Sequence, residues 1–286
     1  MNPAVSRAAP AKVNLFLRIL AREADGYHSL ETLFARVSLA DTVTAERREA
    51  PGVSLEVEGA DTGPADQNLA VRAARMVLDA TGNRCGIHLH LLKRIPIGAG
   101  LGGGSSNAAA TLLLTSELTG GVVPRHELFQ FASRLGADVP FLLSGAALAL
   151  GWGHGERLLR LPALPPAPAL LLMPPIQVAT PEAYGWLDQA RQGIGRRGAV
   201  ALELASLASW GDVARMAGND FESPVFGRHP EIRGSFEALA GTHPLLCRMS
   251  GSGSALVAVY RTPADRADAH SMLGKKWGRV VAVETG

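Results

Sequence analysis

Five of the seven positions 98–104 are glycine, inside the stretch RIPIGAGLGGGSSNAAA at 94–110. Nothing else in the sequence limits the fold so strongly. Glycine loses more backbone freedom on folding than any other residue, so five together are costly for a mere turn. Upstream, Ile87, Leu89 and Leu91 alternate with His88 and His90, the pattern of a half-buried strand. Downstream, 105–118 reads as a helix. Small residues between a strand and a helix N-terminus aim several backbone N–H groups into one concavity. The helix end adds partial positive charge. Such a loop holds phosphate. Ser105, Ser106 and Asn107 add side-chain donors, and Lys93 and Arg94 bring positive charge just upstream. The plainer alternative is a mobile turn with a serine cap.

Two familiar phosphate loops do not fit. Gly98-x-Gly100-x-x-Gly103 matches the dinucleotide pattern, with Glu117 about 20 residues on. That unit needs a second strand with the acid at its end. Here Glu117 is still in the helical run, and 119–124 reads as a loop. The mononucleotide pattern needs Gly-Lys-Ser/Thr, and Gly103 is followed by Gly104. A third class of loop is indicated.

The 286 residues suggest two domains at about 150 residues each. Hydrophobic residues make up 47% and charged residues 19%, as in folded globular chains. Lys and Arg number 28 and Asp and Glu 26, a formal net charge of +2. That balance argues against nucleic acid or an anionic membrane as the main partner. Cys85 and Cys247 are too few for a disulfide framework or zinc cluster and are expected to be buried. No apolar run reaches the ~18 residues a bilayer demands: 141–152 holds two glycines and 163–175 five prolines. Residues 1–10 lack the apolar core of a secretory leader, so a cytoplasmic protein is expected.

The remaining pattern mixes strands and helices. Residues 12–20 alternate as a strand, and Asp25-Gly26 marks a turn. Residues 30–39 suit strand or helix, ended by Asp41 and Thr42. Val53, Leu55 and Val57 mark a strand. Residues 66–68 offer caps for a helix to Ala80, with Gly82 just beyond. A helix fits 125–135. After about 155 the texture changes to a proline-rich stretch, with Leu170 to Met173 as a short buried strand. Pro181 opens a helix, and helical patterns fill 199–217, 230–240 and 263–276. The loop SGSGS at 250–254 precedes a strand, and 279–283 makes the last. The class expected is α+β, with domains 1–155 and 156–286. The four tryptophans, Trp152, Trp186, Trp210 and Trp277, are expected in the core, and Arg196-Arg197 at the surface. His88 and His90 lack a third ligand and suit a solvated sheet face better than a metal.

Asp138 is a lone carboxylate in an apolar run, so burial would require a partner or a proton. It is a candidate base, or a helix cap. Lys12, at the head of an apolar strand, is a candidate partner, or a surface lysine. Tyr27-His28 offers an aromatic face and a ring N–H suited to a nucleobase. Tyr27 and Tyr184 equally suit half-buried core positions. The SGSGS loop alone reads as a flexible turn.

The loop PIGAGLGGGSSNAAA resembles the phosphate loop of the GHMP kinase superfamily. PAKVNLFLRIL, DGYHSLETLF, DQNLAVRAA, LGADVPFLLSGAALALGWGHGERL and MSGSGSALVAVY run from 10 to 260. In order and spacing they are similar to the branch acting on 4-diphosphocytidyl-2-C-methyl-D-erythritol. The resemblance implies a two-domain α+β fold with its active site in the interdomain cleft. The first domain would hold nucleotide and chemistry, and the second would help bind substrate. The implied reaction moves the γ-phosphate of ATP to that substrate's 2-hydroxyl, in non-mevalonate isoprenoid synthesis. Asp138 is the implied general base and Lys12 the polarising group. Adenine is implied near Asn68 and Leu69 with Lys93 nearby, and Thr180 near the nucleotide. The phosphates would lie on Pro96, Gly98, Gly100, Leu101, Gly102, Gly103, Gly104, Ser105 and Ser106, with the SGSGS loop closing against them. His28 would read the cytosine, Tyr27 lie beside it, Tyr184 stack from the second domain, and Asn14 touch the methylerythritol end. Magnesium is expected with ATP, but no acidic cluster would fix it, so no metal ligand is named. The partner is a small molecule; monomer and weak homodimer are both open. Another kinase of the superfamily and a nucleotide sensor without catalysis are the alternatives.

Overall fold

A computed structural model describes residues 4–24, 26–191 and 202–286. One long strand, β2 (His28–Arg48), organises the first sheet, with β1 (Ala4–Arg22) antiparallel along one edge. Its other edge is shared by β4 (Gly86–Leu92), paired with 42–48, and β5 (Leu148–Gly153), paired with 30–35. β3 (Gly52–Glu58) and β6 (Arg157–Leu161) complete the order β3-β4-β2-β5-β6. β3 and β4 run parallel, which demands a crossover, and α1 (Leu69–Ala80) supplies it. Asn68 caps this helix, its Oδ1 accepting Ala70 N–H at 2.9 Å. Its buried positions Ala70, Ala73, Ala74 and Val77 repeat at three and four residues, one face toward the sheet. α2 (Gly103–Leu118), α3 (Arg125–Leu135) and α4 (Val139–Ser144) follow. Phe34, Leu112, Phe131 and Phe141 fill the space between these helices and the sheet.

The second sheet is antiparallel, in the order β10-β7-β9-β8. It contains β7 (Pro168–Met173), β8 (Leu246–Met249), β9 (Leu256–Val259) and β10 (Arg279–Glu284). β7 is buried along its whole length. Leu171 faces one way, with Val257, Val13 and Leu15, against the first sheet. Leu170 and Leu172 face the other way. There they meet the layer of α5 (Thr180–Arg191), α7 (Glu222–Arg228), α8 (Pro230–Ala240) and α9 (Pro263–Leu273). Two covered faces explain why β7 reads as a continuous apolar run rather than an alternating one. A buried leucine cut to alanine in such a layer costs about 2–5 kcal/mol. α6 (Trp210–Met216) sends Val213 into the cluster between the sheets. This is the α+β arrangement expected.

Several expectations need correction. β2 does not end at Asp41 and Thr42 but runs on to Arg48. Asp41 stays in the strand because two backbone N–H groups, from Arg94 and Ile95, bond its carboxylate. The helical pattern over 199–217 is realised as a 3-10 turn, Leu204–Leu207, and then α6, while 199–201 lie outside the described residues. Ser209 divides the two, its Oγ accepting Asp212 N–H at 3.1 Å. α4 and α7 are too short to show a helical period. Trp152 is not in the core: it is 38% exposed near the end of β5. Trp186, Trp210 and Trp277 are half-buried, and Trp210 Nε1 donates to Pro165 O at 2.8 Å. Both cysteines are buried, and burial pushes the Cys247 thiol up to about 12. His88 bonds Ser54 at 2.8 Å and His90 lies 3.8 Å from Glu58. Asp25 and Arg196-Arg197 lie outside the described residues. Among the described residues no helix is long and apolar enough to cross a membrane.

Candidate active site

The glycine loop leaves β4 through a buried polar cluster. Lys93 Nζ donates to Asp41 Oδ2 and, at 2.7 Å, to Asn107 Oδ1. Asn107 Nδ2 donates to Asp41 Oδ2 at 3.0 Å, and Asp41 Oδ1 accepts Arg94 N–H at 2.6 Å and Ile95 N–H at 2.9 Å. Lys93 is therefore no free cation. Its charge is matched by a fully buried carboxylate, and the cluster ties strand, loop and helix together. Gly102 then stands in front of α2 with φ +69°. A Cβ there would lie 2.9 Å from Lys12 Cγ.

The SGSGS loop packs directly on the first loop. Ser250 Oγ donates to Gly100 O at 3.0 Å, and Ala255 N–H to Ala99 O at 3.1 Å. β1 joins from the other side: Lys12 N–H donates to Leu101 O at 3.0 Å, and Ser106 Oγ to Pro10 O at 2.7 Å. Ser106 is thus a strut from α2 to β1.

Lys12 and Asn14 are two apart on β1, so both project from one face. Irregularities in register bracket them, between Pro10 and Lys12 and between Asn14 and Phe16. Lys12 is 3% exposed; its ammonium donates to Asn14 Oδ1 at 2.9 Å and lies 3.2 Å from Asp138 Oδ2. Asn14 Nδ2 donates to Thr32 Oγ1 at 2.7 Å, and Thr32 Oγ1 donates in turn to Phe16 O at 2.7 Å. Every member of this row is therefore held. Asp138 stands at the N-cap position of α4 but makes no cap bond; its carboxylate faces Lys12 instead.

Three cavities adjoin. The first, about 340 Å³, runs along the glycine loop past Asn68, Leu69, Lys93 and Pro96. The second, about 230 Å³, holds Lys12, Asn14, Asp138 and Gly251. These two share Gly100 and Ser105. The third, about 570 Å³, is lined by Tyr27, His28, Tyr184 and Asp188. It shares Ala137, His154, Thr180 and Tyr184 with the second. His28 stacks on Tyr184 at 4.7 Å between centroids, and its Nε2 is 2.7 Å from Asp188 Oδ1. Tyr27, 64% exposed, stacks on His154 at 5.1 Å. Burial, and then the charge of Asp138, push the Tyr184 phenol up to about 12, so it stays neutral.

The sequence-derived residues thus gather along one channel, with two changes of emphasis. Thr180 does not line the glycine-loop cavity; it sits between the other two, with Oγ1 2.9 Å from Ser252 Oγ. Lys93 lies under the loop in an ion pair. Sequence reasoning missed Thr32, Asp41, His154, Asp188 and Asn219. Asp188 had a signal: it follows Tyr184 by four on α5 and so shares its face. Asn219 Nδ2 donates to Met249 O and Gly251 O, both at 2.8 Å, and holds the second loop in place.

Comparison with known proteins follows the same lines. Residues 68–146 match the GHMP kinases N terminal domain, and 199–279 match GHMP kinases C terminal. A 4-diphosphocytidyl-2-C-methyl-D-erythritol kinase of Solibacter usitatus (strain Ellin6076) is 42% identical over 257 residues, 88% of this chain and 80% of that one. The like-named protein of Deinococcus radiodurans is 40% identical over 273 residues, 94% of this chain and 88% of that one. A crystal structure of 4-(cytidine 5'-diphospho)-2C-methyl-D-erythritol kinase matches with a TM-score of 0.80 at 38% identity, over 99% of this chain and 100% of that one. Homoserine kinase from Cytophaga hutchinsonii shares the fold, with a TM-score of 0.72 at 19% identity over 100% of this chain and 95% of that one. The chain belongs to the GHMP kinases, which use ATP, and within them to the 4-diphosphocytidyl-2-C-methyl-D-erythritol kinase family.

Proposed function

We propose that the chain moves the γ-phosphate of ATP onto the 2-hydroxyl of 4-diphosphocytidyl-2-C-methyl-D-erythritol, a step of the non-mevalonate route to isoprenoids. The observation that carries the reading is the Lys12–Asp138 pair, 3.2 Å apart in the cavity that joins the glycine loop to the aromatic one. Phosphoryl transfer needs in-line positioning, charge neutralisation and a place for the alcohol proton. Phosphates sit against the loop from Pro96 to Ser106 and the N-terminus of α2, with adenine toward Asn68 and Leu69. Asp138 takes the 2-hydroxyl proton while that oxygen bonds to the γ-phosphorus. The bond from that phosphorus to the bridging oxygen breaks, and ADP leaves. Lys12 steadies the charge that develops on the acceptor oxygen. Asn14, held by Lys12 and Thr32, borders the methylerythritol end. In the third cavity the Asp188 carboxylate engages His28 Nε2 and leaves Nδ1 for the cytosine edge, with Tyr27 and Tyr184 supplying ring faces.

Magnesium accompanies ATP in this reading. Among the described residues no three His, Cys, Asp or Glu side chains converge, and the donors at the loop are N–H groups and hydroxyls. Phosphate oxygens and water would carry the ion, whose charge offsets theirs. The division near residue 155 draws support from the two sheets, with β6 carrying the first as far as Leu161. The reading is of a cytoplasmic monomer or weak homodimer; that nucleic acid or an anionic membrane is not its main partner accords with a net charge of +2.

The test is ADP release with the cytidyl substrate, with homoserine and with mevalonate. Turnover of the first far above the others is the expected result. Equal rates, or ATP binding without turnover of the cytidyl compound, overturn the reading.

A further inference from the structure

We infer that His154 binds the diphosphate of the substrate and so sets the preference for a nucleoside-diphosphate-linked acceptor over the bare nucleoside. The inference rests on the substrate reading above. That substrate has a fixed covalent order: cytidine, diphosphate, methylerythritol. With the hydroxyl end at Lys12 and Asp138 and the base beside His28 and Tyr184, the diphosphate has to cross the passage between the two cavities. Four residues line both of them: Ala137, His154, Thr180 and Tyr184. Ala137 has no polar side chain. The Tyr184 phenol is neutral, and the Thr180 hydroxyl is shared with Ser252. His154 is the one of the four able to carry positive charge.

The neighbouring basic side chains are already paired. Lys12 holds Asn14 and Asp138, and His28 holds Asp188. Arg22 NH1, at the outer rim, lies 3.6 Å from Asp188 Oδ2. His154 differs in its place: unlike Lys12, His28 and Arg22, it lines both cavities. Among the described residues neither of its ring nitrogens has a hydrogen bond, and its pairing with Glu23 Oε2, 3.6 Å from Nε2, is as loose as that of Arg22 with Asp188. The ring is nevertheless positioned. Its face rests on Tyr27, and its backbone N–H donates to Glu156 Oε2 at 2.8 Å, fixing the turn between β5 and β6. A ring N–H so placed offers a phosphate oxygen a hydrogen bond, and an anion beside an imidazole favours the charged ring and with it a stronger, charge-assisted bond.

The experiment is calorimetric titration of the full chain with CDP and with cytidine, comparing the unaltered protein with His154→Ala and His154→Phe. The phenylalanine keeps a ring against Tyr27 and removes the ring nitrogens. The unaltered protein is expected to bind CDP about tenfold or more tightly than cytidine, and both variants to lose most of that ratio. A ratio unchanged in His154→Ala overturns the inference. So does a ratio restored in His154→Phe, because ring contact would then be the cause. Equal loss of CDP and cytidine binding overturns it too, since the residue would then serve the base end or the fold. Any of these alongside normal turnover of the cytidyl substrate leaves the substrate reading standing. An unaltered protein that binds neither cytidine nor CDP removes both.

Discussion

Lys12, from the first strand, places Nζ 3.2 Å from Oδ2 of Asp138, at the head of a mid-chain helix. The carboxylate spends no bond on capping that helix, so its orientation is set by the lysine. Asp138→Asn keeps the shape and removes the proton acceptor. Its kcat for ADP release is expected to fall about 10²–10⁴-fold, with ATP affinity held near normal because the glycine loop is untouched. Lys12→Met is expected to act on the same step. The double variant should then lose far less than the product of the two single losses. Independent, multiplying effects measured by steady-state kinetics would contradict a shared site.

Gly100 tests the contact of the two loops. Its φ is +79°, and a Cβ would lie 2.4 Å from Ser250 O and 3.0 Å from Gly253 O. Both obstacles are backbone, so neither can swing aside. Gly100→Ala is expected to part the loops and weaken ATP binding by at least about tenfold, besides the roughly 1–2 kcal/mol of stability that a Cβ costs in the left-handed region. Titration with a non-hydrolysable ATP analogue measures this. Unchanged affinity would mean that the loops need not touch.

Elements with local signals were legible in the sequence. The alternation in 87–91, the Asn68 cap and the glycines before α2 each placed an element correctly. What failed depended on distant partners. Asp41 looked like a strand terminator because its four donors come from residues 93–107, across the sheet. Trp152 looked like core, but its exposure is decided by its place near a strand end beside the edge strand β6. Lys12 and Asp138 could be named as candidates, yet their separation is a tertiary fact. His154, alone between glycines, belongs to no period. Thr180, implied near the nucleotide, shares a cavity with Gly100 and Ser105 but does not line the main glycine-loop cavity, a distinction of distance that sequence resemblance does not carry.

The Asp41 cluster predicts an asymmetry. Asp41→Ala strands the buried Lys93 ammonium and leaves two backbone N–H groups without their acceptor. Removing one partner of a buried pair costs about 3–5 kcal/mol, and urea denaturation should show a loss of that size. Asp41→Asn keeps an acceptor for the backbone and is expected to lose less. Adding Lys93→Met to Asp41→Ala should recover part of the stability by removing the stranded charge. A loss below about 1 kcal/mol in Asp41→Ala would place the pair among surface-like bridges.

His28 and Asp188 predict a split between the two substrates. Asp188→Asn keeps the size of the side chain but removes the charge that meets His28 Nε2 at 2.7 Å. The imidazole then loses its fixed tautomer. KM for the cytidyl substrate is expected to rise about tenfold or more, and His28→Ala should do at least as much. Neither residue lines the glycine-loop cavity, so KM for ATP should move little. Parallel changes in both KM values would place the pair in general architecture instead.

Glu222 ties pH to the second loop. Its Oε1 accepts Met249 N–H at 2.9 Å, one residue before that loop begins. Burial raises its pKa above the ordinary carboxylate value, opposed by the Met249 hydrogen bond and Arg248. The folded state therefore keeps a proton at pH values where the unfolded chain has released it. Stability is greatest below the unfolded value and falls as pH rises toward the folded one. Glu222→Gln still offers an oxygen to Met249 and has no proton to lose. The unfolding free energy of the variant minus that of the unaltered protein should grow from about pH 4, the unfolded carboxylate range, upward, and level off above the folded pKa. Urea titrations at successive pH values measure that difference. A flat difference, or one that shrinks as pH rises, would mean that burial does not govern this carboxylate.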